Sequence, residues 1–113
     1  MNFLSLTDTG QFNDIDSGLS LIFKHSTRCS ISTMAFNRLK SGEDFPGVKV
    51  YYLDLLKFRP ISDFISEKYH VEHESPQVLL LVDGKCVFHA SHNAISNATL
   101  ASEIRNVSLK ITS

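Results

Sequence analysis

The residues best equipped for chemistry lie in one stretch, KHSTRCSIS at positions 24–32. It holds a single cysteine, Cys29, behind three side chains able to carry positive charge, Lys24, His25 and Arg28, and Ser32 follows three residues on. Helical periodicity starts at Ser30, so Cys29 falls at a helix N-cap or first turn. Unpaired backbone N–H groups and the positive end of the helix dipole favour an anion there and lower a thiol pKa below its usual ~8.5. Any of the three cations within roughly 4–6 Å of the sulfur would favour the thiolate further. Ser30 begins the helix beside the sulfur, and the Ser32 hydroxyl stands where it could donate to it. These features outweigh the bland reading of Cys29 as a small buried apolar residue.

Ser32 cannot form the disulfide that a second cysteine would. The chemistry open to Cys29 is therefore monothiol exchange: attack on one sulfur of a mixed disulfide, release of one thiol, and resolution by a thiol from outside. Cys86, between Lys85 and Val87 in an apolar run, lacks a helix terminus beside it and reads as structural. More than half the chain separates the two cysteines, so they do not read as a disulfide framework.

The surrounding periodicities supply the elements that must position this stretch. A short helix is expected around Phe12 and Ile15, a buried strand over 19–26 ending near His25, and an amphipathic helix over 30–40 stopped by Gly42. A second strand follows at 47–56 and a second long helix at 60–70. Two apolar runs over 77–91 flank Asp83-Gly84, a dipeptide suited to the positive φ angles of a tight hairpin. A last helix over 96–110 can cap on Ser96, Asn97 or Thr99. The order α-β-α-β-α-β-β-α, with crossover helices and a closing hairpin, is that of a thioredoxin-like α/β fold: a central mixed four-stranded sheet flanked by helices in one domain, 1–113.

The bulk properties narrow the field. A chain of 113 residues with 42% hydrophobic and 20% charged side chains suits one globular domain. A formal charge of −1 leaves no general basic field for nucleic acid or anionic membranes. The longest aliphatic run, Val78 to Val82, is far below the ~20 residues of a spanning helix, and the first ten residues lack the basic start and apolar core of a leader. A cytoplasmic setting is expected.

KHSTRCSIS resembles the active-site segment of the monothiol bacilliredoxins, the YtxJ-like branch of the thioredoxin-like fold, which reads close to KHSTTCPIS. Lys24, His25, Ser26, Thr27, Cys29, Ile31 and Ser32 match, and the likeness resumes at HESPQVLLLVDGKCVFHASHNAIS, residues 73–96. Arg28 stands in place of threonine and Ser30 in place of proline, both against the sulfur. Proline at a first helical position presets φ and removes an N–H, so Ser30 leaves that turn less restrained and adds a donor.

The resemblance implies removal of bacillithiol, or a similar small thiol, from S-thiolated cytoplasmic proteins, with Cys29 as nucleophile. The low-molecular-weight thiol is then a co-substrate rather than a cofactor, and another redoxin is a possible reductant. It also implies that Ser75-Pro76 is a cis-proline element lying beside the cysteine and offering backbone to substrate.

Two further readings belong to other classes. One is a non-catalytic peptide-binding module on the same fold, the other a peroxide-sensing thiol. The H-x-x-H pairs His70/His73 and His89/His92 raise metal binding only weakly, because three-residue spacing does not align side chains outside a helix, and no metal is expected.

Overall fold

A computed structural model of the protein describes residues 1–112, so Ser113, the end of the expected domain, lies outside the described residues. In chain order the elements are β1 (Leu4–Ser5), α1 (Phe12–Ile15), β2 (Leu19–His25), α2 (Ser30–Ser41), β3 (Val48–Asp54), α3 (Arg59–Tyr69), β4 (Gln77–Val82), β5 (Lys85–Ser91) and α4 (Asn97–Thr112), with 3-10 turns at Thr9–Gln11 and His92–Ala94.

The five strands form one sheet in the order β1-β3-β2-β4-β5. β1 and β2 run parallel to β3, whereas β4 is antiparallel to β2 and β5 to β4. This is the mixed sheet of a thioredoxin-like fold with one strand more than the four expected. β1 escapes a reading by periodicity because two residues show no alternation. Its neighbours hold it in place: Leu6 is buried and donates its N–H to the Tyr52 carbonyl at 2.8 Å, and the Phe3 ring packs edge-on against Phe36 at 5.4 Å.

Alternation along β2 divides the interior into two layers. Leu21 and Phe23 point to one face, where they cluster with Ala35 and Leu39 of α2 and Leu100 and Ile104 of α4. Ile22 points to the other, joining Ile61, Ile65 and Tyr69 of α3 and Phe12 and Ile15 of α1. Each such side chain, removed fully from water, contributes about 1.5–3 kcal/mol before its entropy cost. α2 is thus glued to one face of β2 and α3 to the other.

Both junctions that close these layers are built from local chemistry. Asp83 and Gly84 carry φ of 46° and 83°, the left-handed pair of a tight hairpin, as their identities suggest. Gly42 ends α2 in an extended conformation, and the space a side chain would fill there is occupied by Asn97, whose Nδ2 donates to the Arg38 carbonyl at 2.8 Å. Asn97 therefore caps the end of α2, while Ser96 Oγ accepts the Thr99 N–H at 3.1 Å to start α4.

Register decides what gathers at each end of the sheet. His25 pairs with Asp54, Lys24 with Gln77, and Gln77 with Ser91. The exit of β2 toward Cys29, the exit of β3, the entry of β4 after Ser75-Pro76 and the exit of β5 toward His92 all share one end. The hairpin and Cys86, whose partner is Leu81, lie toward the other.

Candidate active site

β2 ends at His25, and a tight turn over 26–29, closed by Cys29 N–H to the Ser26 carbonyl at 3.2 Å, delivers the chain into α2. Cys29 is the N-cap of that helix, with φ −107° and ψ 121°, and its carbonyl accepts the first helical bond from Thr33 at 3.0 Å. Ser30, Ile31 and Ser32 precede that first bond, so their N–H groups belong to the open end of the helix. Cys29 is half-buried, Arg28 and Ser30 are exposed, and Ile31 and Met34 present apolar surface on the same helix.

The three cations do not act together. Lys24 and His25 are neighbours on a strand and point to opposite faces. Lys24 is wholly buried on the α3 side, where its ammonium donates to the Ser62 carbonyl at 3.3 Å and Ser66 Oγ at 3.2 Å and meets His73 Nδ1 at 3.3 Å. Its donors are thus occupied away from the α2 layer, and the role of a cation for the Cys29 thiolate does not fit it. Burial lowers its pKa to about 8, against the pull of Asp63.

His25 lies on the α2 side, buried among Phe23, Phe36 and Tyr52, with ring centroids 5.7, 5.1 and 5.6 Å away. Burial pushes its pKa below the ordinary 6.5, with Lys40 adding to the effect and Asp54 and the contact with Ser32 opposing it. A neutral imidazole is the result, so His25 is not the expected cation at neutral pH. Its Nδ1 sits 2.6 Å from Ser32 Oγ, which also accepts the Ser26 N–H at 3.0 Å. The hydrogen bonds of Ser32 Oγ thus run to His25 and Ser26 rather than to the Cys29 sulfur. The expected donation from Ser32 to the sulfur gives way to this buried bridge, which ties the end of β2 to the first turn of α2 and so fixes the height of Cys29. Of the expected tuning groups, Arg28 and Ser30 keep their places at the surface beside the cysteine.

The other half of the site is the loop between α3 and β4. His70 ends α3 in the left-handed conformation, φ 57°, and the chain then runs through residues 71–76 to a cis Ser75–Pro76 bond. Pro76 is buried and its carbonyl accepts the His92 N–H at 3.0 Å, whereas Ser75 Oγ is buried without a partner. The shared sheet end brings this bond and Cys29 to the same edge of the fold, although 46 positions separate Cys29 from Ser75.

Cys86 is removed from this arrangement. It is partly buried against the α3-side core, its thiol pKa is raised by that burial, and it donates to the Phe88 carbonyl at 3.4 Å. Its strand partner Leu81 is four residues beyond Gln77, roughly 13 Å along β4, whereas a disulfide needs Cα atoms within about 7 Å. Among the described residues no three His, Cys, Asp or Glu side chains cluster as metal ligands, and no helix is long and apolar enough to cross a membrane.

The sequence reading missed Ser62, Ser66 and His73 as partners of a buried lysine. The available signal was Lys24 itself, placed by strand alternation on the face covered by α3.

Comparison with known proteins fits this geometry. The family described as monothiol bacilliredoxin BrxC matches residues 5–100, a span that holds Cys29, the loop through His73 and Pro76, and β5. A solved chain described as a candidate oxidoreductase with a thioredoxin fold is 31% identical, superposes with a TM-score of 0.79, and is matched over 88% of this chain and 90% of its own. Thioredoxins from Malassezia sympodialis, at 15% identity and a TM-score of 0.73 over 93% of this chain and 90% of that one, and from Trypanosoma brucei brucei, at 18% and 0.71 over 94% and 90%, share the fold.

Proposed function

The chain belongs to the monothiol bacilliredoxin family, and from that premise we propose that it is a thiol oxidoreductase that removes bacillithiol, or a similar small thiol, from mixed disulfides on cytoplasmic proteins. The Cys29 thiolate attacks the sulfur of the small thiol; a Cys29–small-thiol disulfide forms, the original disulfide breaks, and the client leaves as a thiolate. A second low-molecular-weight thiol, or a partner redoxin, then attacks the adduct, is itself oxidised, and returns Cys29 to the thiolate. Electrons pass from that external thiol to the client cysteine.

The observation that carries this reading is the isolation of the Cys29 sulfur. Where a second cysteine would stand, Ser32 is buried and bonded to His25 and Ser26, and Cys86 lies toward the far end of the sheet. No sulfur of the same chain is placed to resolve an adduct. Ser75-Pro76 at the same sheet end supports substrate docking by an extended backbone, and Arg28 and Ser30 flank the place where the small thiol would sit.

The test is mass spectrometry after mixing the reduced protein with a peptide carrying the small thiol in a mixed disulfide. The expected product is one small-thiol adduct on Cys29, equally formed by Cys86→Ser. Equal uptake by Cys29→Ser would refute the assignment.

A further inference from the structure

Lys24 and His73 take no part in the chemistry of Cys29, yet the buried ammonium of Lys24 meets the imidazole of His73, an exposed residue, across 49 positions of sequence. The ammonium of Lys24 is fully buried and its three contacts are Ser62, Ser66 and His73. Ser66 sends its own hydroxyl proton to the Ser62 carbonyl at 3.3 Å, which leaves its oxygen free to accept from the lysine. His73 stands in the loop between α3 and β4, two residues before Ser75. Gln77, the strand partner of Lys24, grips the same loop: its Nε2 donates to the Glu72 carbonyl at 3.0 Å and its Oε1 accepts the Glu74 N–H at 3.4 Å. Two cross-strand neighbours, Gln77 and Lys24, thus hold residues 72–77 against the sheet.

We propose that Lys24 and His73 are positioning residues, a latch that holds the Ser75-Pro76 loop in the conformation that receives the mixed disulfide, and that the latch opens when His73 takes up a proton. The proposal rests on the reading that Cys29 exchanges with mixed disulfides at this loop.

The mechanism follows from the donors and acceptors. An ammonium has only protons to offer, so Nδ1 of His73 must be bare and the ring proton must lie on Nε2. A protonated imidazole would set N–H against N–H and one positive charge against another. The groups facing His73 are Lys24 from β2, Ser62, Asp63 and Arg59 from α3, and Glu74 in its own loop. Burial, then Lys24 and Arg59, hold the ring neutral to below the ordinary 6.5, with Asp63 and Glu74 opposing. Lys24 stays mostly charged up to about pH 8. The latch is therefore closed at neutral pH and opens as pH falls below that of an ordinary histidine.

Hydrogen exchange of the Glu74 and Gln77 amides, corrected for the intrinsic pH dependence, tests the latch whether or not Cys29 turns over. Wild type is expected to lose protection as pH is lowered from 7.5 through 6.5, the ordinary histidine value, and below it. His73→Asn, which offers an acceptor at the same position and cannot protonate, keeps its protection across the titration, and His73→Leu lacks it throughout. Wild-type protection that stays level down to the pH at which the whole fold unfolds, or an unchanged pH response in His73→Asn, overturns the proposal. For activity, kcat/KM toward a mixed-disulfide peptide, divided by the rate of Cys29 alkylation by iodoacetamide, is expected to fall about tenfold in His73→Leu at pH 7.5 and to recover in His73→Asn. An unchanged ratio in His73→Leu also overturns it. If wild type forms no adduct on Cys29, the proposed reaction has failed, and the exchange data still decide the latch.

Discussion

Replacing Lys24 with methionine is expected to stabilise the protein at neutral pH, the reverse of most core substitutions. The ammonium has no solvent exposure, and burial depresses its pKa from 10.5 to about 8. At about 1.4 kcal/mol per unit, keeping the charged form folded costs on the order of 3 kcal/mol relative to the unfolded chain. His73, at the surface end of the contact, admits water and screens the charge, which brings the figure to roughly 1.5–3 kcal/mol. Because the folded pKa lies below the unfolded one, the unfolded chain binds more protons between about pH 8 and 10.5, and stability rises with pH through that window.

Methionine has a stem of similar length without the charge, and little is orphaned by the exchange. The Ser62 carbonyl keeps the Ser66 hydroxyl, and His73 can turn to water. Urea unfolding is expected to show Lys24→Met more stable by about 1–3 kcal/mol at pH 7, with the gap closing as pH approaches 10. A loss of stability of about 1 kcal/mol or more at pH 7, or a gap independent of pH, would mean that the three hydrogen bonds outweigh dehydration and that the reasoning is wrong.

Three further outcomes follow from the Cys29 end of the fold. Ser32→Ala removes the partner of both His25 Nδ1 and the Ser26 N–H, and urea unfolding is expected to show a loss of about 1–3 kcal/mol. His25 has a folded pKa below its ordinary 6.5, so the stability it carries is complete above 6.5 and is lost as pH falls from there toward the folded value; the wild-type difference between pH 7.5 and 5.5 is expected to shrink in His25→Gln. Ser30→Pro at the first position of α2 presets φ where the side chain is exposed, and is expected to raise stability by about 0.4–1 kcal/mol in thermal unfolding.

Much of the fold was legible because its long elements carry clear periods. Leu19 to His25, Val48 to Asp54 and the runs around Asp83-Gly84 became β2, β3, β4 and β5 with small changes at their ends, and α2, α3 and α4 followed their apolar spacing. β1 was hidden because two residues have no period and depend on Tyr51 and Tyr52 across the sheet.

At the site, Cys29 was found by its place between a strand and a helix. The run Lys24, His25, Arg28 was misleading as a cluster, since contiguity in sequence means opposed faces on a strand: Lys24 went to α3, His25 to α2 and Arg28 to solvent. The meeting of Lys24 with His73 depends on the β2–β4 register and the packing of α3, and carries no local signal.

The separation of Cys29 from Cys86 along the sheet sets the kinetic order of the proposed cycle. An enzyme that carries its own resolving sulfur closes its adduct at a rate independent of concentration. Here release of the adduct is bimolecular, so its rate rises in proportion to the external thiol until chemistry elsewhere limits it. Throughput then tracks the reduced fraction of the small-thiol pool, and the protein slows by itself when that pool is oxidised.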